Sequence, residues 1–228
     1  MRPPPITYST WPRRTAATSS PAPIPSTWRP SRPCAAPSSH GSLTLMFENY
    51  CPHQVVHRIQ EVDLEALKAA GVRALLLDLD NTLTAWRQYE MSAEVRDWLA
   101  RAQRDFRLCL VSNTLFGKRV KHIAAELGIP CVRGVGFWGK PWRRPFRCAV
   151  CETGIPPEQT AMIGDQLFTD ICGARRMGMH AIMVHPIGQQ ELTWTRWNRK
   201  LARRVEAYLR RRGRWPQQNC ACPRPGGE

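Results

Sequence analysis

The chain has 228 residues, 33 Lys or Arg against 18 Asp or Glu, and a formal net charge of +15. That length suits one ordinary domain with its own core, and no run approaches the roughly 18 apolar residues of a membrane span. The excess charge lies at the ends. Residues 1–45 carry five Arg and no acid, residues 191–228 carry ten basic residues against three acids, and the body between them is nearly neutral. The basicity therefore describes the ends and not the fold. Nine scattered cysteines make an odd number in a chain large enough to need no disulfides, so reduced thiols in a cytosol are the simpler expectation.

Residues 1–45 hold ten of the 20 prolines, many Ser and Thr, and no apolar period, which predicts a disordered extension. Two explanations of it stay open. One is an organelle transit peptide, although prolines oppose the amphipathic helix such a peptide needs. The other is a start assigned too early, with Met46 as the working start. The folded domain is expected over 46–212, with a flexible tail over 213–228.

From residue 63 the pattern alternates. Asp63 can cap a helix through Ala70 that Gly71 stops, and Val72 to Leu77 reads as the first strand. Ser92 can cap a helix to about Asp105, and Arg107 to Val111 reads as the second strand. Phe116 to Leu127 is helical and ends at Gly128. Pro130 to Arg133 is a short strand, and a helix runs from about Trp142 to Glu152. Thr160 to Ile163 and His180 to Val184 are strands, separated by a helix over about Leu167 to Met177. A last helix spans Leu192 to about Arg212. Its apolar stripe is Trp194, Trp197, Leu201, Val205 and Tyr208, with Arg196, Arg199, Arg203, Arg210 and Arg211 opposite. Strands alternating with helices predict an α/β fold: a three-layer α/β/α arrangement with helices on both faces of a parallel sheet.

Chemistry-bearing residues follow the strand ends. Asp78 and Asp80 come directly after Ala74-Leu75-Leu76-Leu77, and period two puts them on one side if extension continues. Ser112-Asn113-Thr114 follows the second strand. Lys140 lies in Gly139-Lys140-Pro141, and Asp165 and Asp170 follow Ala161-Met162-Ile163. In an open α/β sheet, ligands bind at the carboxyl ends of strands, so all four elements are expected at one rim.

Those residue types suit phosphoryl transfer. Phosphate esters are anionic, and a carboxylate attacks one only when cations neutralise the phosphoryl oxygens. Mg²⁺ on Asp78 and Asp165 supplies one positive centre and Lys140 another. Ser112, Asn113 and nearby backbone N–H groups can hydrogen-bond the phosphoryl oxygens. Asp78 is the expected nucleophile. Asp80 is the expected acid and then base. Asp170 is expected either to support the metal through water or to fix Lys140.

These four elements, in this order, resemble the haloacid dehalogenase superfamily, and the second acid at Asp80 marks its phosphatases. The resemblance implies a Rossmann-like core, Mg²⁺ dependence and an aspartyl-phosphate intermediate. It makes Asp78 the nucleophile, Asp80 the acid/base and backbone-carbonyl metal ligand, Ser112 and Lys140 the phosphate binders, and Asp165 a metal ligand. Asp-Leu-Asp-Asn-Thr-Leu, Val-Ser-Asn, Gly-Lys-Pro, Ile-Gly-Asp-Gln-Leu-x-Thr-Asp and Arg196-Trp197-Asn198-Arg199 resemble the YqeG-type phosphatases of subfamily IIIA. The mitochondrial phosphatidylglycerophosphatases are similar to that group.

Asp80 and Ser112 are 32 positions apart, and Ser112 and Lys140 are 28 apart. Each gap is filled by one helix and its connections, so no cap domain fits. An open site suits a phosphate carried on something large, such as a membrane lipid, with phosphatidylglycerophosphate leading by resemblance. The expected location is the cytoplasm or the periphery of a membrane, with organelle targeting the alternative. The competing function is a nucleic-acid or ribosome-binding module that uses its basic ends and retains weak or vestigial catalysis. A mutase is disfavoured by the missing cap. Cys148-x-x-Cys151 and Cys220-x-Cys222 read as free thiols before they read as a zinc site, and His180 and His185 as structural or surface residues.

Overall fold

The computed structural model describes residues 49–114, 117–136, 139–188 and 193–216, with backbone alone over 193–197. Six strands form one sheet in which every pairing is parallel. They are β1 (Gln54–Val56), β2 (Ala74–Leu77), β3 (Arg107–Ser112), β4 (Cys131–Arg133), β5 (Thr160–Gly164) and β6 (His180–Val184), in the spatial order β1-β6-β5-β2-β3-β4. The chain steps from β2 outward through β3 and β4, then returns to the other side of β2 for β5 and β6. The strand order therefore reverses between β2 and β5, where an open parallel sheet forms its ligand crevice. Leu77 stands level with Leu110 on one neighbour and Ile163 on the other, so Asp78 and Asp165 emerge side by side.

Alternating side chains feed two cores. Leu75, Leu77, Leu110, Ile163 and Ile182 face helices α1 (Leu64–Ala69), α2 (Ala93–Asp105) and α3 (Gly117–Leu127). Leu76, Cys109, Val111, Met162 and Ala181 face α4 (Arg143–Thr153), α5 (Cys172–Arg176) and α6 (Thr193–Arg211). All four β2 residues are fully buried, which is why the strand reads as a continuous apolar run. The helix starts carry the expected caps: Asp63 accepts from Ala66 N–H at 3.0 Å and Ser92 from Val95 N–H at 3.4 Å. Such a cap contributes about 1 kcal/mol. Described residues fill each gap between the site segments with a single helix and its connections, and none forms a cap domain.

Four features depart from the sequence reading. First, β1 pairs with β6 at the sheet edge, but its three residues are too few to show a period. Second, the helix after β5 opens with a π-helical turn, Leu167–Ile171, before α5. Third, α6 is turned by about a quarter turn from the expected stripe. It buries Val205 and Leu209 and leaves Leu201 and Tyr208 exposed. Fourth, the chain does not fray at Gly213. Trp215 is buried in the second core, and Cys51 Sγ donates to Arg214 O at 2.7 Å. Residues 1–48, 115–116, 137–138, 189–192 and 217–228, and with them Phe116, Leu192, Cys220 and Cys222, lie outside the described residues, as do the side chains of Trp194, Arg196 and Trp197.

His180 and His185 are structural. His180 stacks on His53 and His185 on His57, with ring centroids 4.5 and 4.8 Å apart. Burial, assisted by the cationic Arg175, lowers His180 to about 4 and keeps it neutral. Cys148 and Cys151 are exposed on α4, and no metal-holding cluster among the described residues includes them.

Candidate active site

Asp78 continues β2 by one residue, its N–H donating to Ile163 O at 2.9 Å. The chain then turns sharply. Asn81 adopts a φ of 62°, which asparagine tolerates better than most residues, and its N–H donates to Thr84 O at 2.7 Å. The turn breaks the simple alternation. Asp78 points at Lys140, whereas Asp80 points at Arg119, whose Nη1 lies 2.6 Å from Asp80 Oδ1.

Lys140 is the hub. Its Nζ donates to Asp78 Oδ1 at 2.6 Å and to Val111 O at 2.7 Å, and lies 2.6 Å from Asp170 Oδ1. Two ammonium protons thus make hydrogen bonds, and the Asp170 contact is an ion pair without hydrogen-bond geometry. The Lys140 backbone is gripped by Asn113: Nδ2 donates to Lys140 O and Lys140 N–H donates to Oδ1, both at 2.7 Å. Gly139 permits this approach, because a Cβ there would stand 2.7 Å from Asn113 Oδ1. The Asn113 side chain, expected on phosphate, is therefore engaged with the lysine loop. The Lys140–Pro141 peptide is cis. Ser112 is buried at the end of β3, and its carbonyl accepts from Gly134 N–H at 2.9 Å.

Asp170 reaches the cluster from the π-helical turn, and its Oδ2 accepts from Gln166 N–H at 3.1 Å. Gly164 makes room for it, since a Cβ there would lie 2.5 Å from Asp170 Cγ. Asp165 is fully buried. Its Oδ2 is 2.5 Å from Arg199 Nη2, and its Oδ1 has no hydrogen-bond partner.

One oxygen each from Asp78, Asp165 and Asp170 lies within 4.8 Å of the others; the Asp80 carboxylate is outside that group. Three buried carboxylates face Lys140 and Arg199. Burial, reinforced by Asp170 and Asp80 and opposed by Lys140, pushes Asp78 up to about 7. Asp165 is raised well above the usual carboxylate range by burial and then by Asp78 and Asp170. Burial works against the Lys140 ammonium, but Asp170 and Asp78 outweigh it and hold Lys140 above its ordinary value. The cluster is short of positive charge and has an orphaned carboxylate oxygen. It fits a hard divalent cation, which takes oxygen ligands.

Two arginines here were not placed at the site by the sequence reading, although Arg199 stands in its Arg196-Trp197-Asn198-Arg199 motif. Arg119 is buried on α3. Nη1 binds Asp80, Nη2 donates to Thr84 Oγ1 at 2.8 Å, and Nε donates to Gln88 O at 2.8 Å. It lies four residues before the buried Ile123 and so shares that helix face, which was the available signal. Arg199, expected opposite the packed face of α6, reaches Asp165 because of that helix's quarter-turn rotation. A cavity of about 610 Å³ opens beside Asp165, between the rim and α6. Phe168, Met183 and Ala202 line it together with Arg199, Lys200 and Arg203.

Comparison with known proteins agrees with this fold. A HAD-hydrolase-like family model matches residues 137–199, and a mitochondrial PGP phosphatase model matches residues 39–133. The chain belongs to the haloacid dehalogenase superfamily and is one of its phosphatases. Within that class it is 33% identical over 165 residues to the probable phosphatase YqeG of Bacillus subtilis, covering 72% of this chain and 94% of that one. It is 34% identical over 148 residues to the chloroplastic phosphatidylglycerophosphate phosphatase 1 of Chlamydomonas reinhardtii, covering 60% of this chain and 53% of that one. The chain thus spans nearly all of the first relative and about half of the second. Among solved structures, an uncharacterized protein from Listeria monocytogenes serotype 4b aligns with a TM-score of 0.44 and 18% identity, over 53% of this chain and 85% of that one. No helix among the described residues is long and apolar enough to cross a membrane.

Proposed function

We propose that the chain is a Mg²⁺-dependent phosphatase that forms an aspartyl-phosphate on Asp78 and acts on a phosphate monoester carried by a membrane lipid, with phosphatidylglycerophosphate the leading candidate. The observation that carries the mechanism is the Lys140 ammonium held 2.6 Å from both Asp78 and Asp170 beside the buried Asp165. Asp78, Asp165 and the Asp80 backbone carbonyl would hold the ion. When bound, it supplies positive charge to the attacking carboxylate and to the phosphoryl oxygens.

The chain's own groups do the rest. Lys140 shares its protons with the incoming phosphoryl oxygens, which the Ser112 hydroxyl and the Asn113 backbone N–H also bind. An Asp78 oxygen attacks phosphorus in line, and the ester P–O bond breaks. Asp80 delivers its proton to the departing oxygen. It then takes a proton from water, whose oxygen attacks phosphorus and releases Asp78 and inorganic phosphate. Asn113 sets the position of the lysine loop, and Arg119 sets that of Asp80.

Arg119→Met is therefore expected to lower kcat by roughly 10²-fold with little change in KM, as for a misplaced catalytic group. Arg119→Lys should recover little, because an ammonium cannot make the fork onto Asp80, Thr84 and Gln88. Steady-state kinetics beside a melting curve check this. A large rise in KM with kcat intact would show that Arg119 does not act through Asp80.

Support for a lipid comes from the capless rim, from the apolar and basic cavity beside Asp165, and from the name of the second relative. The test is phosphate release from phosphatidylglycerophosphate in mixed micelles, with Mg²⁺ or with chelator. Phosphopeptide, nucleotide and sugar phosphates serve as competitors. The lipid should give the highest Mg²⁺-dependent kcat/KM. Turnover of soluble esters alone would remove the lipid from the proposal, and no turnover of any ester would remove the mechanism.

A further inference from the structure

All strands run parallel, so the loops after their carboxyl ends share one rim with Asp78 and Lys140. Six large apolar side chains are exposed among the described residues, and four lie on those loops: Tyr89 (51%), Val135 (37%), Trp142 (49%) and Ile187 (54%). Each is tied to the site. Ile187 N–H donates to Asn81 O at 3.1 Å, and Trp142 stands two residues past Lys140. Val135 follows Gly134, which bonds Ser112. Tyr89 follows Gln88, whose carbonyl accepts from Arg119, and its ring meets His122 at 5.7 Å.

Single exposed apolar residues are ordinary on a protein surface, but four around one catalytic mouth are not scattered. Charge accompanies them. Arg87, Lys118, Arg143 and Arg144 are exposed on the same loops and helix starts, against Glu90 and Glu94. Lys200 and Arg203 on α6 extend the positive field beside the Asp165 cavity.

We propose that this rim is an interfacial membrane-binding surface. Tyr89, Val135, Trp142 and Ile187 enter the headgroup region of an anionic bilayer, the basic residues meet lipid phosphates, and the open site faces the membrane. Aromatic side chains with one apolar end and one polar end favour that depth, and cations near it gain from the negative surface potential. A nucleic-acid strand fits less well, because Val135 and Ile187 offer its bases no stacking plane. This inference rests on the lipid-phosphate reading for its substrate, but the binding it asserts is measurable without substrate.

The test uses the full chain and large vesicles of phosphatidylcholine, with or without about 30 mol% phosphatidylglycerol. Co-sedimentation is measured at low and high salt. Wild type should partition to the anionic vesicles at least tenfold better than to neutral ones, and less so at high salt. The double variant Trp142→Ser/Ile187→Ser should lose about tenfold in partitioning, yet hydrolyse soluble p-nitrophenyl phosphate as wild type does. Leu201→Ser/Tyr208→Ser, on α6, should bind vesicles normally. Equal binding by wild type and the rim variant, or loss with the α6 variant alone, would overturn the proposal. So would retention on single-stranded RNA without vesicle binding. Vesicle binding without hydrolysis of any ester would leave the docking surface standing and refute the catalytic reading. Hydrolysis of the soluble ester without vesicle binding would do the reverse.

Discussion

Asp78→Asn is expected to reduce phosphate release by at least about 10³-fold, because an amide is a poor nucleophile and no neighbouring group can replace the lost phosphoenzyme. The same change should not weaken the fold in the absence of divalent cation. Asp78, Asp165 and Asp170 bring three buried acids together against Lys140 and Arg199. Replacing one carboxylate by an amide relieves that imbalance, and Lys140 keeps Asp170 as its counter-ion. A melting curve of the metal-free variant at or above wild type, with turnover near background, is the expected pair of results. Activity within about tenfold of wild type would remove Asp78 from the nucleophile's position.

Lys140→Met is expected to damage both properties. The ammonium is the shared partner of Asp78, Asp170 and the Val111 carbonyl, all buried. Removing it leaves two acids facing each other across an apolar side chain. Loss of one partner of a buried pair costs about 3–5 kcal/mol. Turnover should also fall by about 10²–10³-fold, as when a fixed electrostatic donor is removed from a transition state. Lys140→Arg should not restore activity, since a planar guanidinium cannot occupy the tetrahedral position between the three oxygens. Denaturant unfolding measures the first effect and steady-state kinetics the second. A Lys140→Met variant as stable as wild type would show that the three oxygens find other donors.

The contrast between Lys140 and Arg119 shows what the sequence carried. The acids and the hydroxyl were legible because each follows an apolar run that reads as a buried strand, and the lysine because Gly139-Lys140-Pro141 stands in order between them. A parallel sheet brings strand ends together whatever the helices between them do. The alternation of α and β, the caps at Asp63 and Ser92, and the single helix in each gap were legible for the same local reasons. Arg119 and Arg199 were not, because a hydropathy pattern assigns a guanidinium to solvent. Their burial depends on acids distant in sequence, Asp80 and Asp165. The rotation of α6 was missed with them: it brings Arg199 to the rim and leaves Leu201 and Tyr208 exposed. β1 was missed because three residues show no period, and its place beside β6 is set by pairing alone.

The Asp165–Arg199 ion pair also has a bearing on biosynthesis. Asp165 leaves the ribosome 87 residues after Asp78, and Arg199 follows 34 residues after Asp165. A nascent polypeptide therefore holds Asp165 without its guanidinium partner until α6 has been made. Termination between Asp165 and Arg199 would yield a product with that buried acid uncompensated, so the crevice is completed only when α6 docks.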